Sequence, residues 1–315
     1  MTSRAERLAA SALRLRSAGL GLAFVILSIG AFAMDVSPYW NFNEPAASEA
    51  AFRQALGAGA VGDDALMLQT QIARTYGLRS RFDTAHALLD RIEPQLATAG
   101  AEPRVRYLLE RGRTFRSSKA AERARPLFVE AAERARAAGL EALEVDALHM
   151  VALVEKEPEA QMQWNRQALA LARSSADPNA RNWDASLANN IGMTLHDARR
   201  YDEALASFRD ALAARERIGK PDLIRVARWM IAWTLRSLHR HDEALAILRR
   251  LEAENLGTGD PDGHVFEEIA ENLLATQTAD AAGPYFAKAW RLLSADTSLD
   301  RPDDAHLARL ERLSR

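Results

Sequence analysis

Apolar and small residues recur along this chain at helical spacing, in paired stretches divided by breaks rich in Gly, Pro, Ser and Asp; no stretch shows the strict alternation of a half-buried strand. The clearest pairing is Tyr201-Asp202-Glu203-Ala204-Leu205-Ala206 against His241-Asp242-Glu243-Ala244-Leu245-Ala246, an offset of 40 residues. The echo extends upstream, where Ile191-Gly192 and Leu195 answer Ile231-Ala232 and Leu235. It also extends downstream, where Phe208 and Ala211 answer Leu248 and Leu251. One spacing describes both copies: a small residue, a bulky one three later, Ala nine after that, a bulky one four later and usually a small one three beyond. Ala73, Tyr76, Ala85 and Leu89 fit it, as do Gly112, Phe115, Ala124, Phe128 and Ala131, and Ala270, Leu273, Ala282, Phe286 and Ala289. Five copies in phase predict a stack of helical hairpins.

The pattern resembles the tetratricopeptide repeat family, whose signature runs W-x2-L-G-x2-Y, then A-x3-F, then P. The copies here recur every 36–44 residues rather than about every 34, lack the leading Trp and lack the closing Pro. They are similar to the long-period, roughly 40-residue variants. The resemblance implies an all-α, right-handed superhelical α-solenoid. The spacing has a physical reason. The small residue of the first helix and the Ala of the second lie where the two helices cross, and bulky residues fill the space between hairpins. Tyr201, Ala204, Phe208, Ala232 and Ala244 are therefore structural positions, with the residues quoted above.

Along the chain, Asn43-Glu44-Pro45 reads as a helix start with Pro in the first turn, so the stack opens on a half repeat. Full units are expected at about 66–98, 105–138, 185–218, 225–254 and 263–294. A degenerate unit at about 141–173 keeps only Ala160, Trp164 and Ala168 of the pattern. The break at 174–182, beside that unit, is the expected hinge between repeats at 34–173 and at 183–298. Arg301-Pro302-Asp303-Asp304 opens a closing amphipathic helix within 299–315, the cap an open-ended stack requires.

Residues 1–17 carry four Arg against Glu6 and precede an apolar run over 18–33 that ends in Ala31-x-Ala33. This is the form of a secretory signal, shorter than the roughly 20 apolar residues of a comfortable membrane span. Three readings stand: a cleaved signal, a retained membrane anchor, or an upstream extension to a chain that starts at Met34. The first two place the protein in an exported or envelope compartment and the third in the cytoplasm.

Composition narrows the chemistry. A formal net charge of -2 offers no basic field for nucleic acid, and zero Cys removes disulfides, thiolate nucleophiles and zinc-thiolate sites. The seven His residues form no H-E-x-x-H or other tight ligand spacing, and no nucleophile elbow, phosphate loop or dinucleotide fingerprint is present. Gly57, Gly59 and Gly62 lie between helices without a Lys and read as a linker. No metal, cofactor or catalytic residue is therefore assigned.

In the resembled family, first-helix residues lying off the crossing line the concave groove. On this phase they include Arg74, Arg113, Asn189, Asn190, Met193, Trp229, Trp233 and Arg236. Trp229 and Trp233 are one turn apart on one helix face; both groove and core readings stand for them. Thr70 and Arg74 occupy positions where the carboxylate-clamp subset of the family carries paired Asn and Lys, which argues against capture of a peptide C-terminus. The expected function is a non-enzymatic scaffold that binds a protein or peptide segment in its groove. The alternatives are a peptide sensor that changes shape and an enzyme whose site is assembled only in three dimensions. Contact with a membrane would run only through residues 18–33, if they are retained.

Overall fold

The structure, a computed structural model, describes residues 34–276, 279–296 and 303–315. The signal, anchor or extension expected over residues 1–33 lies outside the described residues, as do residues 299–302 of the expected cap. Among the described residues every regular element is helical, and no helix is long and apolar enough to cross a membrane.

A short 3-10 turn at Ser37–Tyr39 leads into α1 (Pro45–Gly57), which packs as a lone second helix against α2 (Gly62–Leu78). Hairpins follow: α2 with α3 (Phe82–Ile92), α4 (Ala101–Ser117) with α5 (Ala121–Ala137), and α6 (Glu141–Ala152) with α7 (Pro158–Ser174). After the one-turn α8 (Pro178–Arg181) come α9 (Asp184–Asp197) with α10 (Tyr201–Ile218), α11 (Pro221–Ser237) with α12 (His241–Thr258), and α13 (Gly263–Ala275) with α14 (Ala279–Ala295). Helix α15 (Asp304–Leu313) lies against α14 and buries Leu307 and Leu310. Each second helix also packs on the first helix of the next hairpin, so the hairpins stack as a helical solenoid.

The crossing within each hairpin is built from absence of side chain. A Cβ added at Gly112 would lie 2.4 Å from Cε1 of Phe128, and one at Gly192 would lie 2.7 Å from Cε1 of Phe208. Both rings are fully buried. Ala73, Ala85, Ala124, Ala204, Ala232, Ala244 and Ala270 are fully buried too, Ala282 and Phe286 nearly so, and Tyr76 is buried. Phe115 and Tyr201 are half-buried; Arg123 lies over the Phe115 ring and His196 against Tyr201.

The turn inside the hairpin is equally regular. Ser80, Lys119, Arg199 and His239 all adopt φ of 57–65°, a left-handed conformation that usually falls to glycine. Each is followed by a backbone N–H that reaches back to close the first helix: Arg81 to Tyr76, Ala120 to Phe115, Arg200 to Leu195 and Arg240 to Leu235, at 2.8–2.9 Å. His241 opens α12 and shares a 3.0 Å hydrogen bond with Oδ1 of Asn272.

The degenerate third unit departs from its expected phase. Trp164 is only half-buried and bonds Oε1 of Glu155, while α7 buries Met162, Asn165, Ala168 and Ala172. Asn165, three residues before Ala168, stands where α5 carries Phe128 before Ala131 and α10 carries Phe208 before Ala211. The register differs because an amide has replaced the ring. The 174–182 connection is tied down: Ala180 is fully buried and Ser175 nearly so, and Oγ of Ser175 donates to Oε2 of Glu141 at 2.5 Å.

Two melting experiments check this packing. Gly192→Ala adds a methyl where Phe208 already sits and should lower stability by about 1–3 kcal/mol despite the better helix propensity of Ala. Lys119→Gly relieves a left-handed non-glycine residue and should raise it by roughly 1 kcal/mol. A Gly192→Ala variant melting at or above the parent temperature would contradict the crossing geometry.

Candidate functional site

Polar and aromatic side chains of successive first helices meet across repeats. At the start of this wall Trp40 and Phe42 stack face to face, with centroids 4.6 Å apart, and the Arg74 guanidinium lies over both rings at 5.3 and 5.4 Å. Nε1 of Trp40 donates to Oε1 of Gln71 at 3.1 Å. Arg74 approaches Glu110 at 3.7 Å, and Arg113 binds the same carboxylate at 2.6 Å and both oxygens of Asp146 at 2.5 Å. Glu110 is 2% exposed and Asp146 7%. These are desolvated charges, which persist only when paired.

The electrostatics follow from that pairing. Burial works against the Arg113 charge, but Asp146 and Glu110 outweigh it and hold its pKa above the ordinary value. Burial likewise pushes the Asp146 carboxyl up, and Arg113 and Arg74 overcome it and hold it down. For Arg74 the balance goes the other way: burial, with the like charge of Arg113, outweighs Glu110 and Asp146 and lowers its pKa. Two atoms of this cluster, Nε of Arg74 and Oε2 of Glu110, are buried without a hydrogen-bond partner, a condition that costs about 1–3 kcal/mol per group when nothing fills it.

In the middle of the wall, His149 meets Nδ2 of Asn190 at 3.4 Å and lies 5.4 Å from the Trp183 ring. Burial lowers its pKa, with Asp146 and Asn165 opposing. Oδ1 of Asn189 is occupied by Nη2 of Arg215 at 3.2 Å, and Met193 packs on the core of the second half.

Beyond it runs a ladder of rings. His196 stacks on Trp233 at 3.4 Å, Trp233 on Trp229 at 5.9 Å with planes 11° apart, and Trp229 meets His264 edge-on at 6.2 Å. Nε1 of Trp229 donates to the His264 carbonyl at 3.3 Å. Both tryptophans are half-buried and pack against the core of the second half, so each serves core and wall at once. Arg236 grips Glu268 with two bonds of 2.7 Å, although burial still pushes the Glu268 carboxyl above its ordinary range. Glu267 pairs with His306 at 2.8 Å and Glu271 with Arg309, so all three acids of α13 have cationic or imidazole partners.

All eight wall candidates thus come from first helices. Arg74 and Arg113 join through Glu110, Trp229 and Trp233 stack, and Arg236 continues the row on α11. Glu110, Asp146 and His149 connect them, and the sequence alone did not single out the two acids. Asp146 meets Arg113 from 33 positions away and Glu110 approaches Arg74 from 36, contacts that follow the repeat offset, whereas Arg113 binds Glu110 from three residues along the same helix.

Residues 183–253 match the family model of the tetratricopeptide repeat. Comparison with curated protein sequences finds no significant match. Among solved structures, apo RapI superposes with a TM-score of 0.68 at 15% identity, covering 88% of this chain and 81% of its own. Aspartyl phosphate phosphatase F from Bacillus subtilis superposes at 0.58 and 14%, covering 88% and 77%. A Rap protein complexed with competence and sporulation factor superposes at 0.56 and 16%, covering 87% and 78%. At these identities the likeness is one of fold.

The lowered pKa of His149 sets a pH dependence. In the unfolded chain the imidazole titrates near 6.5; in the fold it resists protonation, so the unfolded state takes up the extra proton. Stability is then complete above pH 6.5 and falls as the pH drops below it. Melting temperatures between pH 7.5 and 5.5 should decline for the parent chain and decline less for His149→Gln; parallel slopes would show that His149 is not the responsible group.

Proposed function

We propose that this tetratricopeptide-type helical repeat protein is a non-enzymatic scaffold that holds a segment of another protein along its first-helix wall. The observation that carries this reading is the continuity of the wall. Side chains from α2, α4, α6, α9, α11 and α13 form one ribbon, from the Arg74 guanidinium over Trp40 and Phe42 through Asp146, His149 and Asn190 to the Trp233–Trp229 stack and the Arg236–Glu268 pair. An extended peptide offers carbonyl oxygens and amide N–H groups to a row of polar side chains of this kind. The Trp229 and Trp233 rings, beside Arg236, supply the residue types that dominate binding energy at interfaces.

The shared fold with a Rap protein complexed with competence and sporulation factor supports a peptide as the partner. It also supports a second reading, in which the segment is sensed and the stack changes shape. The 174–182 connection is the hinge in that reading, and motion there would have to break the Ser175–Glu141 contact. Scattering profiles with and without partner separate the two, since only a sensor must move.

The test is affinity capture from cell extract with the full-length chain. Trp229→Ala/Trp233→Ala should lose partners retained by the parent, by about 2 kcal/mol or roughly thirtyfold in affinity for a hot spot, while still melting cooperatively. An unchanged partner set from a folded double variant would sink the assignment of this face.

A further inference from the structure

Where the aromatic ladder ends, a cleft of about 890 Å³ opens between the ends of α11, α12, α13 and α14, within the size range of small-ligand sites. Its floor is apolar, with Leu251, Val265 and Leu293 buried, and Trp229 forms one wall. The polar part of the lining is strongly one-sided: four Asp residues against Arg225.

The acids are not equivalent. Asp222 is held by Arg225 at 2.6 Å, and Asp262 caps α13 through the His264 N–H at 2.8 Å. The Asp260 carboxylate, on the loop between α12 and α13, has no such bond among the described residues. Asn255 lines the same cleft at 4% exposure, and its Oδ1 is buried without a hydrogen-bond partner. An unanswered acceptor, an uncommitted carboxylate and an indole wall are three features that ask for the same thing: a donor that carries positive charge.

We propose that this cleft takes a guanidinium or ammonium group on an apolar stem, as on a basic side chain of the segment held by the wall. The stem lies along Leu251 and Leu293, the cation meets the Trp229 face and Asp260, and its N–H groups answer Asn255. The proposal rests on the wall reading for the segment that carries the basic group, and the two sites share Trp229.

Calorimetric titration of the full-length chain tests it with a capped hexapeptide alternating leucine and arginine, and with a counterpart carrying neutral citrulline for arginine. The arginine peptide should bind at least about tenfold more tightly. Asp260→Asn should weaken the arginine peptide about threefold to fivefold and leave the citrulline peptide unchanged; Asn255→Leu should weaken the arginine peptide about tenfold. Should Asn255→Leu fail to fold, the exposed Asp260→Asn decides alone. Agmatine that competes with the peptide assigns the cleft to free cations, and agmatine that does not assigns it to a partner's side chain; the recognition chemistry holds in both. Equal affinity for the two peptides, or an arginine peptide indifferent to the substitutions, overturns the proposal. Because Trp233 does not line the cleft, partner capture sensitive to Trp233→Ala beside a flat arginine titration would remove the cleft and leave the wall, and the reverse pattern would do the opposite.

Discussion

Two helices of a hairpin approach closely here only because one lacks a side chain where the other carries a ring. Gly112 beneath Phe128 and Gly192 beneath Phe208 are the plainest cases, and the fully buried alanines repeat the arrangement with less room to spare. Everything else depends on that contact. It fixes the distance within each hairpin and thereby the face each first helix turns to the next. It also leaves polar residues such as Arg113 and Asp146 aligned well enough to bond across 33 residues of sequence. A larger residue at the crossing would lever the hairpins apart and break the wall with them.

The hairpins were legible in the sequence because the crossing demands particular residue sizes at particular intervals, and size survives when chemistry varies. Other features left no such trace. The left-handed turns at Ser80, Lys119, Arg199 and His239 carry no glycine to betray them; the geometry is imposed by the crossing, and the residues endure it. The third unit misled for the opposite reason. Asn165 takes the place of the ring, so a pattern built on bulky apolar residues slid by one position onto Trp164. For the wall, sequence phase was enough to name residues on first helices, but not their pairings. The Glu110 and Asp146 carboxylates sit among many surface acids, and nothing local distinguishes the ones that will be desolvated. Nor could spacing decide between core and groove for Trp229 and Trp233, since packing gives each tryptophan one face in the core and leaves it half-buried on the wall.

Buried charge is an expensive way to join repeats. Apolar residues of the same volume would stabilise the stack as well or better, and the second half sets an aromatic ladder beside its own buried pair of Arg236 and Glu268. The polar ribbon through Arg74, Glu110, Arg113, Asp146 and His149 is concentrated in the first half and leads into the unit whose core holds Asn165. Such an arrangement makes sense as recognition: preorganised donors and acceptors at fixed spacing select a partner by hydrogen-bond pattern, while the aromatic ladder beyond supplies contact area.

A groove that holds a partner requires that the first-helix wall, and not the opposite face, meets it. A photo-crosslinking amino acid placed at Met193 on α9, in the full-length chain within its native cells, addresses this whatever the partner is; Arg209, exposed on the second helix α10, is the matched control. Adducts are expected from position 193 and none from position 209. Adducts from position 209 alone, or equally from both, would show that the wall is not the binding face.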